Sequence, residues 1–106
     1  MKTKEFIVGN FTISVPLEHV RQVISGNLLN PIHGYPGLIG FFPNKELDVI
    51  PVFSIDEDYV NDLNNCRILV FEGKTSIGLK IDGIGEKKDS IKKIITYEDM
   101  IRKWID

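Results

Sequence analysis

The apolar residues of this chain come in short runs that are closed, one after another, by Gly, Pro or Asn. Phe6-Ile7-Val8 stops at Gly9-Asn10, and Phe11–Val15 then alternates apolar and polar up to Pro16. Leu38–Phe42 ends at Pro43-Asn44-Lys45, Leu47–Ile55 carries Pro51 inside it, and Arg67–Phe71 ends at Glu72-Gly73-Lys74-Thr75. Ile77–Ile84 is the return run. Runs this short suit strands rather than helices, and the turn residues between them favour hairpins. A chain built this way is expected to be mainly β, as small barrels or a sandwich.

Two segments break the pattern. Leu17, Val20, Val23 and Ile24 stand three, six and seven residues apart behind Pro16, which predicts a short helix near 16–24. The second is the end of the chain. Tyr97, Met100, Ile101, Trp104 and Ile105 form an apolar stripe at helical spacing, which predicts a helix near 97–105. Thr96 and Asp99 supply a capping-box pair for it. Between these segments, Leu28–Gly37 reads as an ordered irregular connection, and the strand holding Pro51 as an edge strand or one bulged there. Asp56–Asn65 reads as an acidic loop, Gly85–Ser90 as a polar connector and Ile91–Ile95 as a last strand.

With 106 residues the chain has room for one modest core, or for two very small cores that share a wall. Its 13 basic and 15 acidic residues give a net charge of −2, against the basic excess of a nucleic-acid binder. The single cysteine, Cys66, excludes an intramolecular disulfide and favours a reducing, cytoplasmic setting. The uncharged runs Phe6–Leu17 and Gln22–Asn44 are broken by Gly, Pro and Asn, so neither reads as a membrane span.

The fragments of catalytic and ligand-binding motifs do not hold together. Gly73-Lys74-Thr75 resembles the end of a phosphate loop, but position 68, where that loop needs its first Gly, is Ile. Asp56 and Asp58 open like a calcium loop, which then fails at Val60 and Asn61. Gly83 and Gly85 lack the third Gly of a dinucleotide fingerprint. Cys66 with His19 or His33 has no surrounding signature of a nucleophile and base, and three Cys and His residues in all are too few for a closed zinc site. Asp48 reads as a turn-end or outward-facing residue rather than a catalytic acid. Phe41 and Phe42 point to opposite faces of their strand, and no Lys or Arg lies in Gly26–Asn44, which fits protein contact better than base stacking. The inventory points to binding through apolar surface, with no cofactor or metal.

Four consecutive stretches then carry a resemblance. They are Phe6-Ile7-Val8 through Val23-Ile24; Asn30-Pro31-Ile32 through Leu38-Ile39-Gly40; Val49-Ile50-Pro51-Val52-Phe53 through Asp56; and Arg67–Phe71 followed by Ile77-Gly78-Leu79 through Asp82-Gly83-Ile84. In their order and spacing they resemble the CheW-like domain family, and Ile91 to Trp104 resembles that family's last strand and closing helix. The resemblance implies two small five-stranded, SH3-like or OB-like β-barrel subdomains sharing a core. It implies no enzymatic activity. It implies a coupling role between the cytoplasmic tip of a chemoreceptor and the regulatory domain of the histidine kinase CheA. The positions it marks for protein binding are Val20 near the receptor groove, Gly40 in a strand, Lys45 near the family's Arg-Gly turn, and Cys66 and Ile68 in a strand of partner contacts.

Two departures qualify that implication. Pro43-Asn44-Lys45-Glu46 replaces the Arg-Gly turn, and a lysine keeps the charge but not the planar fork of Arg. Only Gly85–Lys93 fills the space where the family has a further strand, so the second barrel is expected to be shortened after Ile84, or completed by a partner chain. Unpaired strand edges left by such shortening would favour self-association, which is the alternative reading of the same fold. A small barrel binding nucleic acid is the reading that the net charge disfavours.

Overall fold

Gly9 and Asn10 set the first hairpin. In the computed structural model, which describes residues 2–32, 37–43, 49–55 and 67–105 with the side chains of 28 and 103–105 left aside, β1 (Thr3–Val8) and β2 (Phe11–Pro16) pair antiparallel from Thr3↔Pro16 to Val8↔Phe11. Gly9 takes φ 55°, a left-handed conformation that costs glycine little. The alternation read in β2 sends Ile13 and Val15 into the core.

The segment expected as a helix near 16–24 is instead one 3₁₀ turn, Leu17–His19, followed by a strand, β3 (Val20–Ser25). Val20, Val23 and Ile24 are β-branched and stiff at χ1, which suits a pleated surface better than a helix. Their helix-like spacing has a local cause. Pairing with β7 (Arg67–Phe71) runs Val20↔Phe71 and then Gln22↔Val70, so Arg21 is an extra residue. That bulge shifts the alternation by one and brings Val20 and Val23 onto the same face, against the larger core. A bulged strand thus imitates an i, i+3 pattern.

The remaining strands are β4 (Asn30–Pro31), β5 (Leu38–Pro43), β6 (Val49–Phe53), β8 (Ile77–Ile81), β9 (Gly83–Ile84) and β10 (Ile91–Ile94), and α1 (Tyr97–Ile105) closes the chain. They form a four-stranded sheet in the order β10-β2-β1-β9 and a six-stranded sheet in the order β3-β7-β8-β6-β5-β4. The class is mainly β, as the short runs imply. The described strands divide four and six rather than five and five, and the two-residue strands β9 and β4 form one edge of each sheet. The strand with Pro51 is not an edge strand: β6 lies between β8 and β5. Its pairing with β8 starts only at Val52, so the missing N–H of Pro51 leaves no rung empty there. The register shift in the β5–β6 pair falls between Leu38 and Gly40, away from Pro51.

The six-stranded sheet is apolar on both faces. Leu69, Phe71, Ile77, Leu79, Ile81 and Phe53 face Phe6, Val8, Ile13 and Val15 of the other sheet. Ile68, Val70, Ile50 and Val52 face the opposite way, onto Leu29 and Ile39. Two small cores therefore share one wall, in which β6 and β7 carry buried residues of both. Each fully buried Leu, Ile or Phe in that wall contributes about 1.5–3 kcal/mol. Gly78 sits in the wall facing the smaller core, where a Cβ would lie 2.8 Å from Cγ2 of Ile68.

The reciprocal cap of α1 forms as the sequence implies. Thr96 N donates to Asp99 Oδ2 at 2.9 Å, and Asp99 N donates to Thr96 Oγ1 at 3.2 Å. Met100 is fully buried and Ile101 packs beside it, while Trp104 and Ile105 fall outside the described side chains.

Candidate protein-binding site

The chain passes from one sheet to the other at Leu17–His19, and three other segments are tied to that crossing. Leu17 N donates to the Lys2 carbonyl at 3.0 Å, and Glu72 N donates to the His19 carbonyl at 2.8 Å. The imidazole of His19 accepts from the first amide of α1, Tyr97 N, at 3.0 Å on Nδ1. Tyr97 reaches back over the β7–β8 turn, where its hydroxyl accepts from Thr75 N at 2.9 Å. Its ring occupies the space above Gly73, so that a Cβ on Gly73 would lie 2.2 Å from ring carbons. This is why the turn needs glycine, and Gly73-Lys74-Thr75 is a hairpin turn rather than a phosphate loop. Arg21 completes the cluster, donating to Ser76 Oγ at 3.3 Å and standing 4.0 Å from Glu72.

The surface over this crossing is mixed. Leu17 is 48% exposed and Val20 half-buried, with exposed Arg21 and Gln22 between the latter and Val23. On the far side of the β7–β8 turn, Val49, Lys74, Thr75 and Ser76 line an open recess of about 240 Å³. Val49 is 60% exposed there. Apolar side chains beside exposed cations suit a protein contact.

The positions marked from the sequence do not converge. Val20 opens β3 and packs on the larger core from its rim. Ile68 lies on the neighbouring strand, opposite Ile24 at the other end of the pair, and is fully buried in the smaller core. Its side chain has no surface to offer a partner, and it acts on the surface only by supporting what covers it. Gly40 lies on β5, opposite Pro31 and Val52, so close to β4 that a Cβ would stand 2.3 Å from the Asn30 carbonyl oxygen. Its glycine is explained by that approach of backbones. Lys45 and Cys66 lie outside the described residues, as do His33, Asp48 and the acidic segment from Asp56 to Asn65.

Several residues without a motif turn out to organise the molecule. Asp82 accepts the Gly9 amide at 2.6 Å and pairs with Lys80 at 3.3 Å, tying the end of β8 to the first hairpin. Thr12, fully buried, accepts the Lys87 amide at 3.0 Å and lies against Ser90, so it pins the connector between β9 and β10. The alternation of β2 could have flagged Thr12 as a paired position; nothing local could have named its partners 75 and 78 residues on. Lys92 pairs with Glu86, and that hydrogen bond holds its ammonium above the ordinary lysine range. Among the described residues, no group of three His, Cys, Asp or Glu side chains is close enough to hold a metal ion. The buried polar side chains there are Thr12 and Ser54, and no buried side-chain polar atom lacks a hydrogen-bond partner. No described helix is long and apolar enough to cross a membrane.

No protein-family model matches the chain, and no curated protein matches it. Among solved structures it is similar to the scaffolding protein TtCheW from Thermoanaerobacter tengcongensis, at 18% identity and a TM-score of 0.65. That likeness covers 87% of this chain and 66% of the other, so the chain spans just under two thirds of the length of the protein it resembles. Two sheets joined by a 3₁₀ crossing, two cores on the two faces of one of them and a capped closing helix are therefore the CheW-like fold in a divergent sequence.

Proposed function

We propose that this protein is a non-enzymatic adaptor of chemotaxis-type signalling in the cytoplasm, coupling the cytoplasmic tip of a chemoreceptor to the regulatory domain of the histidine kinase CheA. The observation that carries the reading is the fold shared with a CheW scaffolding protein over 87% of the chain. The sheet crossing supports it, since Leu17 and Val20 offer apolar surface between two rigid sheets. In this reading Leu17 and Val20 meet the receptor tip. Gly40, Lys45, Cys66 and Ile68 belong to the part that meets the kinase, Gly40 and Ile68 by shaping strands rather than by touching. No cofactor takes part.

The test is a titration of the full chain against a kinase regulatory domain and, separately, a receptor signalling tip. Binding to both, with the receptor arm weakened about tenfold by Leu17→Asp, supports the adaptor role. Absence of binding to either partner at high micromolar concentration overturns the role and leaves the fold untouched.

A further inference from the structure

We propose that the outer edge of β10 is a docking edge for an extended acidic segment of a partner protein, which joins the four-stranded sheet as a fifth strand. The inference is independent of the adaptor reading. It starts from the backbone. Ile91 N and Ile95 N donate to the Asn10 and Ser14 carbonyls of β2 at 3.1 and 3.0 Å. Backbone direction alternates along a strand, so the amides and carbonyls of Lys92 and Ile94 point away from β2. Among the described residues no strand pairs with them, because β10 ends its sheet.

The side chains say what kind of strand fits. β10 reads Ile91-Lys92-Lys93-Ile94, with Ile91 60% and Ile94 71% exposed. Register with β2 places Ile91 and Lys93 on the core-side face, beside Phe11 and Ile13, and Lys92 and Ile94 on the outer face. Each face of the edge thus shows one isoleucine and one lysine. The Lys93 ammonium lies over the Phe11 ring, 4.5 Å from its centroid, on an exposed residue. Lys92 holds Glu86, but both side chains are more than half exposed, and such a pair is readily exchanged. Lys87 and Lys88 precede the strand, so Glu86–Lys93 holds four lysines against Glu86 and Asp89 in a chain whose net charge is −2.

A second copy of the chain is the wrong occupant. Antiparallel self-pairing through the outward groups of Lys92 and Ile94 opposes residues of like parity, so the registers centred on β10 set either Lys92 or Lys93 against its own copy, and like charges directly opposite are destabilising. Lysines on an edge guard it in this way. The complement is a strand reading apolar–acid–acid–apolar, which sets a carboxylate against each ammonium and an apolar side chain against each isoleucine. The order of β10 is the same in either direction, so such a strand fits parallel or antiparallel. Main-chain hydrogen bonds would supply affinity and the side-chain pairs selectivity, as in other strand additions.

The experiment uses the full chain, isotope-labelled, titrated with an eight-residue peptide carrying the apolar–acid–acid–apolar core and with a control peptide in which two lysines replace the acids. The acidic peptide should bind, shift the amides of 91–95, and weaken as salt is raised. The double variant Lys92→Glu/Lys93→Glu should lose about tenfold for the acidic peptide and bind the lysine peptide instead. Ile94→Pro, which removes only an outward-facing amide, should abolish binding of both while leaving the thermal midpoint nearly unchanged. Amides of 91–95 that stay unmoved by the acidic peptide at millimolar concentration overturn the proposal. So does a charge-reversed edge that fails to reverse the preference, or sedimentation of the wild-type chain as a dimer that Ile94→Pro dissolves.

Discussion

Thr12 and Gly40 show how much a single position can hold in a fold of short strands. Thr12 is buried without being apolar, and its hydroxyl is the acceptor that fixes the start of the connector after β9. Thr12→Val keeps the shape and leaves the Lys87 amide unsatisfied, so it should cost about 1–3 kcal/mol in chemical denaturation and raise amide exchange across 85–90. Gly40→Ala should be worse than its size suggests. Its new methyl meets the Asn30 carbonyl, which belongs to backbone and cannot rotate away. The expected result is loss of the β4–β5 pair, read as loss of protection at Ile32, whose amide donates to the Ile39 carbonyl at 3.0 Å. Both roles are only partly legible from sequence: a polar residue in a strand and a glycine in an apolar run announce a constraint but not the atom that imposes it.

At the scale of elements, α1 is the most local and β3 the least. The Thr96–Asp99 box and the apolar stripe specify the helix without reference to the rest of the chain, and the structure has both in place. Thr96→Ala and Asp99→Ala should each cost about 1 kcal/mol, and together less than the sum, because they remove the two halves of one reciprocal cap. The docking of that helix is another matter, since it rests on His19 and the β7–β8 turn. Tyr97→Phe removes the hydroxyl that receives Thr75 N and should cost about 1 kcal/mol while leaving helix content unchanged by circular dichroism. β3 was legible as apolar and illegible as a strand. Its bulge at Arg21 put two apolar side chains three residues apart on one face, which is the signature of a helix, and only pairing with β7 distinguishes the two.

For the whole molecule the shared wall is the governing fact. Leu69 of β7 and Leu79 of β8 stand in the larger core, and Ile68 and Val70 on the reverse of β7 build the smaller one with Ile50 and Val52 of β6. The two cores should therefore not melt apart. Leu79→Ala should cost about 2–5 kcal/mol, and calorimetry should still show one transition in which both sheets are lost together. Two separate transitions would contradict the shared wall. The sequence by itself determined most of the strands, the β1–β2 and β7–β8 turns and the capped helix, because alternation, turn residues and caps act between neighbours a few residues apart. It also determined, through the order of its motifs, the family to which the fold would prove similar. Tertiary structure alone decided that Val20 starts a strand, that the strand with Pro51 is interior, that Ile68 is buried beyond a partner's reach, and that Ile91 and Ile94 stand on an open edge. Those outcomes depend on which strand lies beside which, and that choice is made by burying two faces of one sheet at once, a condition no local stretch of sequence can state.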